Sequence, residues 1–372
     1  MLSEKDFISK PFSATIKNGS FHWSAPSNIA LVKYWGKKEN QIPANPSISF
    51  TLTNCKTITK LAFYKHLDTS TGSVQANKEF SFDLLFEGKP KEDFKPKIQK
   101  FFERIEMYCP YLKDYHFTID TQNTFPHSSG IASSASGMAA LSTTIMSLEK
   151  ALSRNFGTEI SDEYFYQKAS FLARLGSGSA CRSVKGSVVV WGNHAEIIGS
   201  SDLFGVEFPS KIHDNFNNYQ DTILIVDKGE KQVSSTVGHE LMHNHPFAKH
   251  RFLQAHQNLS AFKTVLETGN LEEFIKIVES EALTLHAMMM TSMPYFILMK
   301  PNTLEIINNI WKFRNETKIP VCFTLDAGAN VHVLYPENVS ESVLQFIKTE
   351  LVGYCQNGQY ICDAIGTGAI QL

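Results

Sequence analysis

The stretch Pro126-His127-Ser128-Ser129-Gly130-Ile131-Ala132-Ser133-Ser134-Ala135-Ser136-Gly137 constrains this chain's fold more than any other. A strand-like run, Tyr115 to Ile119, precedes it. A helical pattern with Met138, Leu141, Ile145 and Leu148 on one face opens directly from it. A strand that feeds a Ser/Gly turn into a helix leaves backbone N–H groups free at the helix start, where the macrodipole favours negative charge. Such a terminus accepts phosphate. The small side chains let a bulky anion approach the main chain, and the hydroxyls of Ser133, Ser134 and Ser136 add donors. No Gly-Lys-Ser/Thr follows, so this is not the Walker loop. Ser/Gly turns also cap helices for structural reasons alone, and the rest of the chain has to separate the two readings.

With 372 residues the chain is long enough for two domains. Its formal charge of −2 supplies no basic footprint for nucleic acid or an anionic membrane. Phosphate chemistry here therefore concerns a small molecule. Six cysteines are scattered without metal-type spacing, and the chain has neither an apolar N-terminal segment nor a long apolar run. Free thiols in a cytoplasmic protein are the expectation.

Short strands are expected at Phe21–Ala25, Ser49–Leu52, Thr57–Phe63 and Glu79–Phe86, followed by an amphipathic helix over Phe94–Tyr108. Asp162–Leu175 is helical and ends at Gly176, and Ser187–Trp191 is a strand. The irregular segment Asn193–Tyr219 contains the expected boundary, dividing the chain into 1–205 and 206–372. Beyond it come a strand at Thr222–Val226, helices around Phe252–Leu266, Leu271–Met290 and Leu304–Arg314, and strands Val321–Leu325 and Val331–Tyr335. Strands interleaved with helix pairs in this way point to α+β rather than a regular βαβ alternation.

Four further segments look chemical. Asn28–Lys38 places Lys33, Lys37 and Lys38 around Tyr34-Trp35-Gly36, either as a solvated face or as the cationic rim of an anion pocket. Gly176-Ser177-Gly178-Ser179-Ala180-Cys181-Arg182-Ser183 combines close backbone approach, hydroxyl donors and a guanidinium fork suited to carboxylate or phosphate. The hydroxyl-rich turn around Ser235 and Thr236 is equally a helix cap. Asp326 stands at the end of an apolar strand before Ala327-Gly328-Ala329, placed as a base or orienter, or as a turn residue capping its own backbone. His239, His243, His245, His250 and His256 lack the His-Glu-x-x-His spacing of zinc enzymes and are taken as solvated or packed. Met288-Met289-Met290 is taken as core filler.

Together these segments resemble the diphosphomevalonate decarboxylases of the GHMP small-molecule kinase superfamily. Five blocks match in order: Ala25–Lys37, Asn45–Leu52, Pro126–Leu141, Ala173–Ser183 and Thr324–Asn330. The first and fourth are the most specific, since other members of the superfamily share the Ser/Gly loop but not Lys-Tyr-Trp-Gly-Lys with Gly-Ser-Gly-Ser-Ala-Cys-Arg. The resemblance implies an α+β, two-domain GHMP kinase-like fold, with a ribosomal-protein-like N-terminal domain carrying the phosphate loop and an α/β-sandwich C-terminal domain. It also implies ATP and Mg2+ as cofactors, a phosphorylated mevalonate as substrate, no nucleic-acid or membrane partner, and a homodimer. By this resemblance Asp326 orients or deprotonates the substrate's 3-hydroxyl, Lys33 holds Asp326 ionised, and Arg182 clamps the carboxylate. Tyr34, Trp35, Gly36, Lys37, Ser177, Gly178, Ser179, Ala180, Cys181 and Thr236 match substrate-binding positions. Gly130, Ser133, Ser134, Ser136 and Ser235 match nucleotide-binding ones; no metal-binding residue is assigned.

Several positions depart from the family pattern. His239 stands where Met is common, Pro46 where Ser is usual, and Lys38-Glu39 where Arg-Asp is frequent. Asp83 falls near a basic residue that helps hold the substrate's diphosphate in many relatives, which leaves the number of phosphates open. The alternatives are a relative acting on mevalonate 5-phosphate or mevalonate, and a non-catalytic member that only binds a phosphometabolite.

Overall fold

A computed structural model describes residues 2–12, 16–66, 79–126, 131–228 and 235–372, with the side chains of Ser235 and Thr236 outside the description. Gly130 of the Ser/Gly loop lies outside the described residues. In chain order the elements are β1 (Asn18–Val32), β2 (Ser47–Lys65), β3 (Ser81–Phe86), β4 (Lys89–Pro90), α1 (Lys95–Ile105), β5 (Tyr115–Asn123), α2 (Ser133–Asn155), α3 (Asp162–Gly176), β6 (Val188–Trp191) and β7 (Val206–Glu207). Then follow β8 (Gln220–Leu224), α4 (Ser235–Glu240), α5 (Ala248–Thr268), α6 (Leu271–Met290), α7 (Pro301–Thr317), β9 (Cys322–Leu325), β10 (Val331–Tyr335), α8 (Ser340–Phe346), β11 (Tyr360–Ala364) and β12 (Ile370–Gln371).

The first sheet runs β12-β1-β2-β5-β3-β4, with β6 on the other half of β2 and β7 on β6; the second runs β11-β8-β10-β9. β1 and β2 form a long antiparallel pair whose register shifts between Pro26 and Asn28. The two strands expected at Ser49–Leu52 and Thr57–Phe63 are therefore one. The Thr53-Asn54 break between them reads as a turn in sequence. In the fold, the amides of Thr53, Asn54 and Cys55 donate to the Asp363 carboxylate at 2.9, 2.8 and 2.7 Å. A buried anion on β11 thus supplies the acceptors that a turn would have supplied, and the strand continues through a bulge.

Ile98, Phe101, Phe102 and Ile105 of α1 are buried, as their spacing requires, and α1, α2 and α3 cover one face of the first sheet. α2 is buried along most of its length. A second core draws Ile29, Phe50 and Val190 from the first sheet together with Ile223, Phe262 and Phe274 from the C-terminal half. A third lies under α7 and α8. Strand pairing crosses the division expected at 205/206: β7 pairs with β6, and β12 returns to pair with β1 at Trp23 and Ser24. No helix among the described residues is long and apolar enough to cross a membrane.

Candidate active site

Lys33 follows directly on β1 and Asp326 directly on β9, so each strand end delivers one charged side chain to the gap between the sheets. Lys33 Nζ lies 3.1 Å from Asp326 Oδ1; the lysine side chain is 2% exposed and the aspartate 32%. Burial pulls the Lys33 ammonium below its usual range, while the Asp326 charge opposes that pull. A buried ammonium beside a partly solvated carboxylate is an arrangement that polar groups adopt for chemistry rather than for stability.

The Lys33 backbone is fixed on both sides. Its N–H donates to Glu281 Oε2 (2.8 Å), and its carbonyl accepts from Asn45 Nδ2 (2.9 Å) and Arg251 Nη2 (3.0 Å). Arg251 and Glu281 are fully buried and pair at 2.9 and 2.5 Å. The Asp326 carbonyl accepts from His286 Nε2 at 3.1 Å. Burial lowers the His286 imidazole to about 4, so it holds that carbonyl as a neutral donor.

One cleft gathers Lys33, Tyr34, Trp35, Ser133, Ser134, Ser177, Ser179, Arg182 and Asp326, drawn from four separate sequence segments. Arg182 is buried. Its guanidinium bonds the Ser47 hydroxyl through Nη1 and Asn28 Oδ1 through Nε and Nη2 (3.4 and 3.3 Å), and it lies over the Trp191 ring. An anchored, planar fork of this kind presents its remaining donors without reorganisation. The Tyr34 hydroxyl is buried with no hydrogen-bond partner among the described residues, and burial pushes its pKa up, so it stays a donor. Gly36 takes φ +97, and a Cβ there would fall 2.9 Å from the Phe252 ring. Only glycine closes this turn.

Other expected residues stand behind the cleft. Ser136, expected as a nucleotide donor, is fully buried, its hydroxyl 2.6 Å from Thr57 Oγ1 and donating to the Ser133 carbonyl. Gly178, Ala180 and Cys181 are likewise buried and do not face it. Gly178 lets Tyr34 and Trp191 approach, a Cβ there falling 3.0 Å from the Tyr34 hydroxyl, while burial pushes the Cys181 thiol up to about 12. Lys37 lies 3.7 Å from Glu240 at the back of the turn. Asp83 is far along β3, mostly exposed and 3.3 Å from His116, so it carries no information on the substrate's phosphates.

Sequence reading missed Asn28, His239 and Leu285 as cleft residues, and Arg251, Glu281 and His286 as its supports. Asn28 opens an already suspicious segment and His239 stands out as a departure from the family pattern, but nothing local marks the other four. A second, largely apolar cleft lined by Leu84, Phe86, Ile98, Ile119, Met138 and Leu141 shares Ser133 and Ser134 with the first. Between the two, α2 begins at Ala132, held in the left-handed region at φ 37. Lys97 Nζ lies 2.6 Å from Ser134 Oγ, placing a cation at the helix start. Among the described residues no group of three His, Cys, Asp or Glu can hold a metal. The oxygen donors that do line the cleft, Asp326 and the Ser133 and Ser134 hydroxyls, are of the type magnesium takes alongside nucleotide phosphates.

Residues 25–202 match the family of the diphosphomevalonate decarboxylase-like N-terminal domain, and residues 222–366 that of the mevalonate 5-diphosphate decarboxylase C-terminal domain. Diphosphomevalonate decarboxylase of Ganoderma lucidum is 28% identical over 345 residues, covering 87% of this chain and 80% of the relative. That of Eremothecium gossypii is 29% identical over 329 residues, covering 84% and 76%. Among solved structures, MDDEF in complex with MVAPP, AMPPCP and magnesium aligns with a TM-score of 0.77 and 26% identity, covering 95% of this chain and 98% of that one. The mevalonate diphosphate decarboxylase of Legionella pneumophila aligns with a TM-score of 0.74 and 29% identity, covering 92% and 100%. With both halves matched in order and the charged pair set between them, the chain belongs to the diphosphomevalonate decarboxylase family.

Proposed function

We propose that this chain catalyses the ATP-dependent decarboxylation of (R)-5-diphosphomevalonate to isopentenyl diphosphate, ADP, phosphate and carbon dioxide. The observation that carries the proposal is the Lys33–Asp326 pair, 3.1 Å apart, opening on one cleft with Arg182 and the start of α2. Asp326 orients the substrate's 3-hydroxyl and accepts its proton, and the Lys33 ammonium keeps Asp326 ionised. The 3-oxygen bonds to the γ-phosphorus as the bond to ADP breaks. Phosphoryl transfer of this kind needs positioning and charge stabilisation more than covalent help from the protein. The 3-phosphate then leaves with the C–O electron pair. The electrons of the adjacent C–C bond form the alkene, and carbon dioxide departs from Arg182.

Ser133 and Ser134 face the nucleotide phosphates in this reading. The adjoining apolar cleft takes the base, with Lys97 at the phosphate end. Magnesium, when bound, neutralises charge on the transferred phosphate. Gly130, Ser235 and Thr236 complete the nucleotide and substrate walls by their place in the family pattern. The same reading makes the protein a homodimer, by likeness to its family. It also makes it cytoplasmic, which six unpaired cysteines, five of them buried, support.

The test is release of ADP and carbon dioxide with ATP, magnesium and mevalonate, its 5-phosphate or its 5-diphosphate. Both products in equal amounts from the diphosphate alone are expected. Both from the monophosphate would move the substrate assignment, and ADP without carbon dioxide would make the protein a kinase and remove the role given to Arg182.

A further inference from the structure

His239 is a cleft residue whose chemistry the catalytic pair does not use. It sits on α4, and its Nδ1 accepts the Gly36 N–H at 2.9 Å. A nitrogen that accepts carries a lone pair, so the ring's proton resides on Nε2. The imidazole is wedged against Tyr34 and Trp35, with ring centroids 4.1 and 4.7 Å away. The helix that carries it lies close against Trp35: a Cβ at the neighbouring Gly238 would fall 2.7 Å from the indole. The Gly36 bond sets the tautomer, and the two ring contacts hold the imidazole in place.

The ring lines the same cleft as Tyr34, Ser177 and Arg182. Among the described residues none accepts a hydrogen bond from Nε2. Burial first, then the nearby charges of Lys37 and Arg182, lower the imidazole to about 3, so it is neutral at working pH. A preorganised neutral donor flanked by two cations is complementary to an anion, and it adds no third positive charge that would have to be desolvated. Its hydrogen bond to Gly36 and its ring contact with Tyr34 seat it on the segment that ends in Lys37, whose charge reaches the ring.

We infer that His239 Nε2–H donates to a phosphate oxygen of the substrate's tail and so sets the affinity for that tail. This rests on the proposed function and deepens it by naming a specificity-determining residue.

Two substitutions separate this role from a structural one. The carboxamide oxygen of His239→Asn reproduces the Nδ1 acceptor for Gly36 but leaves nothing at the Nε2 position. The amide of His239→Gln reaches the Nε2 position and gives up the grip on Gly36. The measurement is the Kd of mevalonate 5-diphosphate by titration calorimetry without nucleotide, with product release by the wild type run in parallel.

His239→Asn is expected to weaken binding at least about tenfold, the loss for one hydrogen bond to a charged acceptor, with His239→Gln within about threefold of wild type. Asn within about twofold of wild type, or Gln weaker than Asn, would mean that only the contact to Gly36 matters and would overturn the inference. A wild type that binds the diphosphate but releases neither product would remove the proposed reaction, while the ranking of the two variants still decides the role of His239. A wild type that does not bind it would overturn both.

Discussion

The backbone N–H of Lys33 donates to Glu281 Oε2 across 248 positions of sequence, and the same carboxylate is gripped by Arg251, which also bonds the Lys33 carbonyl. α5 and α6 thereby clamp the end of β1. α6 holds the other partner too, through His286 on the Asp326 carbonyl. The ammonium and carboxylate are thus positioned from one helix, although they arrive from opposite sheets.

Removing one side of the Arg251–Glu281 pair strands a buried charge. Glu281→Leu is expected to cost about 3–5 kcal/mol in urea unfolding, whereas Arg251→Met with Glu281→Leu recovers most of that stability. The double variant leaves Asn45 as the one remaining side chain on the Lys33 backbone among those described, so its kcat is expected to stay about tenfold down. Wild-type kcat in a well-folded double variant would show that the clamp serves stability alone.

Lys33 and Asp326 act as one unit in this geometry. Asp326→Asn is expected to lower kcat at least about a hundredfold with a smaller change in KM. Lys33→Met should lose a comparable factor, and the double variant should fall little further than either single one, because the second change removes a group already idled by the first. Strictly additive losses measured in the full cycle would separate the two roles.

The parts of the site legible in sequence were those packed into short runs: the turn from Lys33 to Lys37, the Ser177–Arg182 loop, the start of α2, and Asp326 at a strand end. Each carries its own chemistry within a few residues, so local spacing exposes it. The supports were hidden because they are ordinary helix residues. Glu281 and His286 sit in a run that reads as an amphipathic helix, and only the tertiary fold turns them toward Lys33 and Asp326. His239 was masked by its neighbours, since four other histidines within a short span made a solvated or packed cluster the simpler account. Ser136 shows a further limit of local spacing: one face of α2 meets the cleft and the next hydroxyl meets Thr57, a distinction set by helical rotation and not by composition. Ser49–Leu52 and Thr57–Phe63 were split for a like reason, because the acceptors that keep β2 intact come from Asp363, over 300 residues away.

Lys97 bears on the nucleotide side. Its ammonium reaches Ser134 at the mouth of the apolar cleft, so Lys97→Ala should raise the KM for ATP by roughly three- to tenfold. The Kd of the diphosphate substrate, measured without nucleotide, should be unchanged. An effect on substrate binding instead would place the anion contact of Lys97 on the wrong ligand.

Histidine burial predicts how stability depends on pH. In the fold His239 and His286 titrate at about 3 and about 4, against 6.5 for an unperturbed imidazole. Below 6.5 the unfolded chain binds a proton at each, while the folded chain excludes it. Stability therefore rises with pH through this range: the contribution is complete above 6.5 and is lost as pH falls toward the folded values. Each histidine adds a slope of about 1.4 kcal/mol per pH unit where the unfolded form is protonated. Asp221, whose carboxyl burial pushes up, works in the opposite direction in the same window, so the informative quantity is the difference between variant and wild type. Urea unfolding from about pH 7 down to about pH 5 should show a gap between His239→Asn and wild type that narrows as the pH drops, by about one proton's worth of slope. Parallel curves would mean that the imidazole titrates in the fold as it does in the unfolded chain, and it would then be charged in the cleft below about pH 6.5 instead of staying neutral.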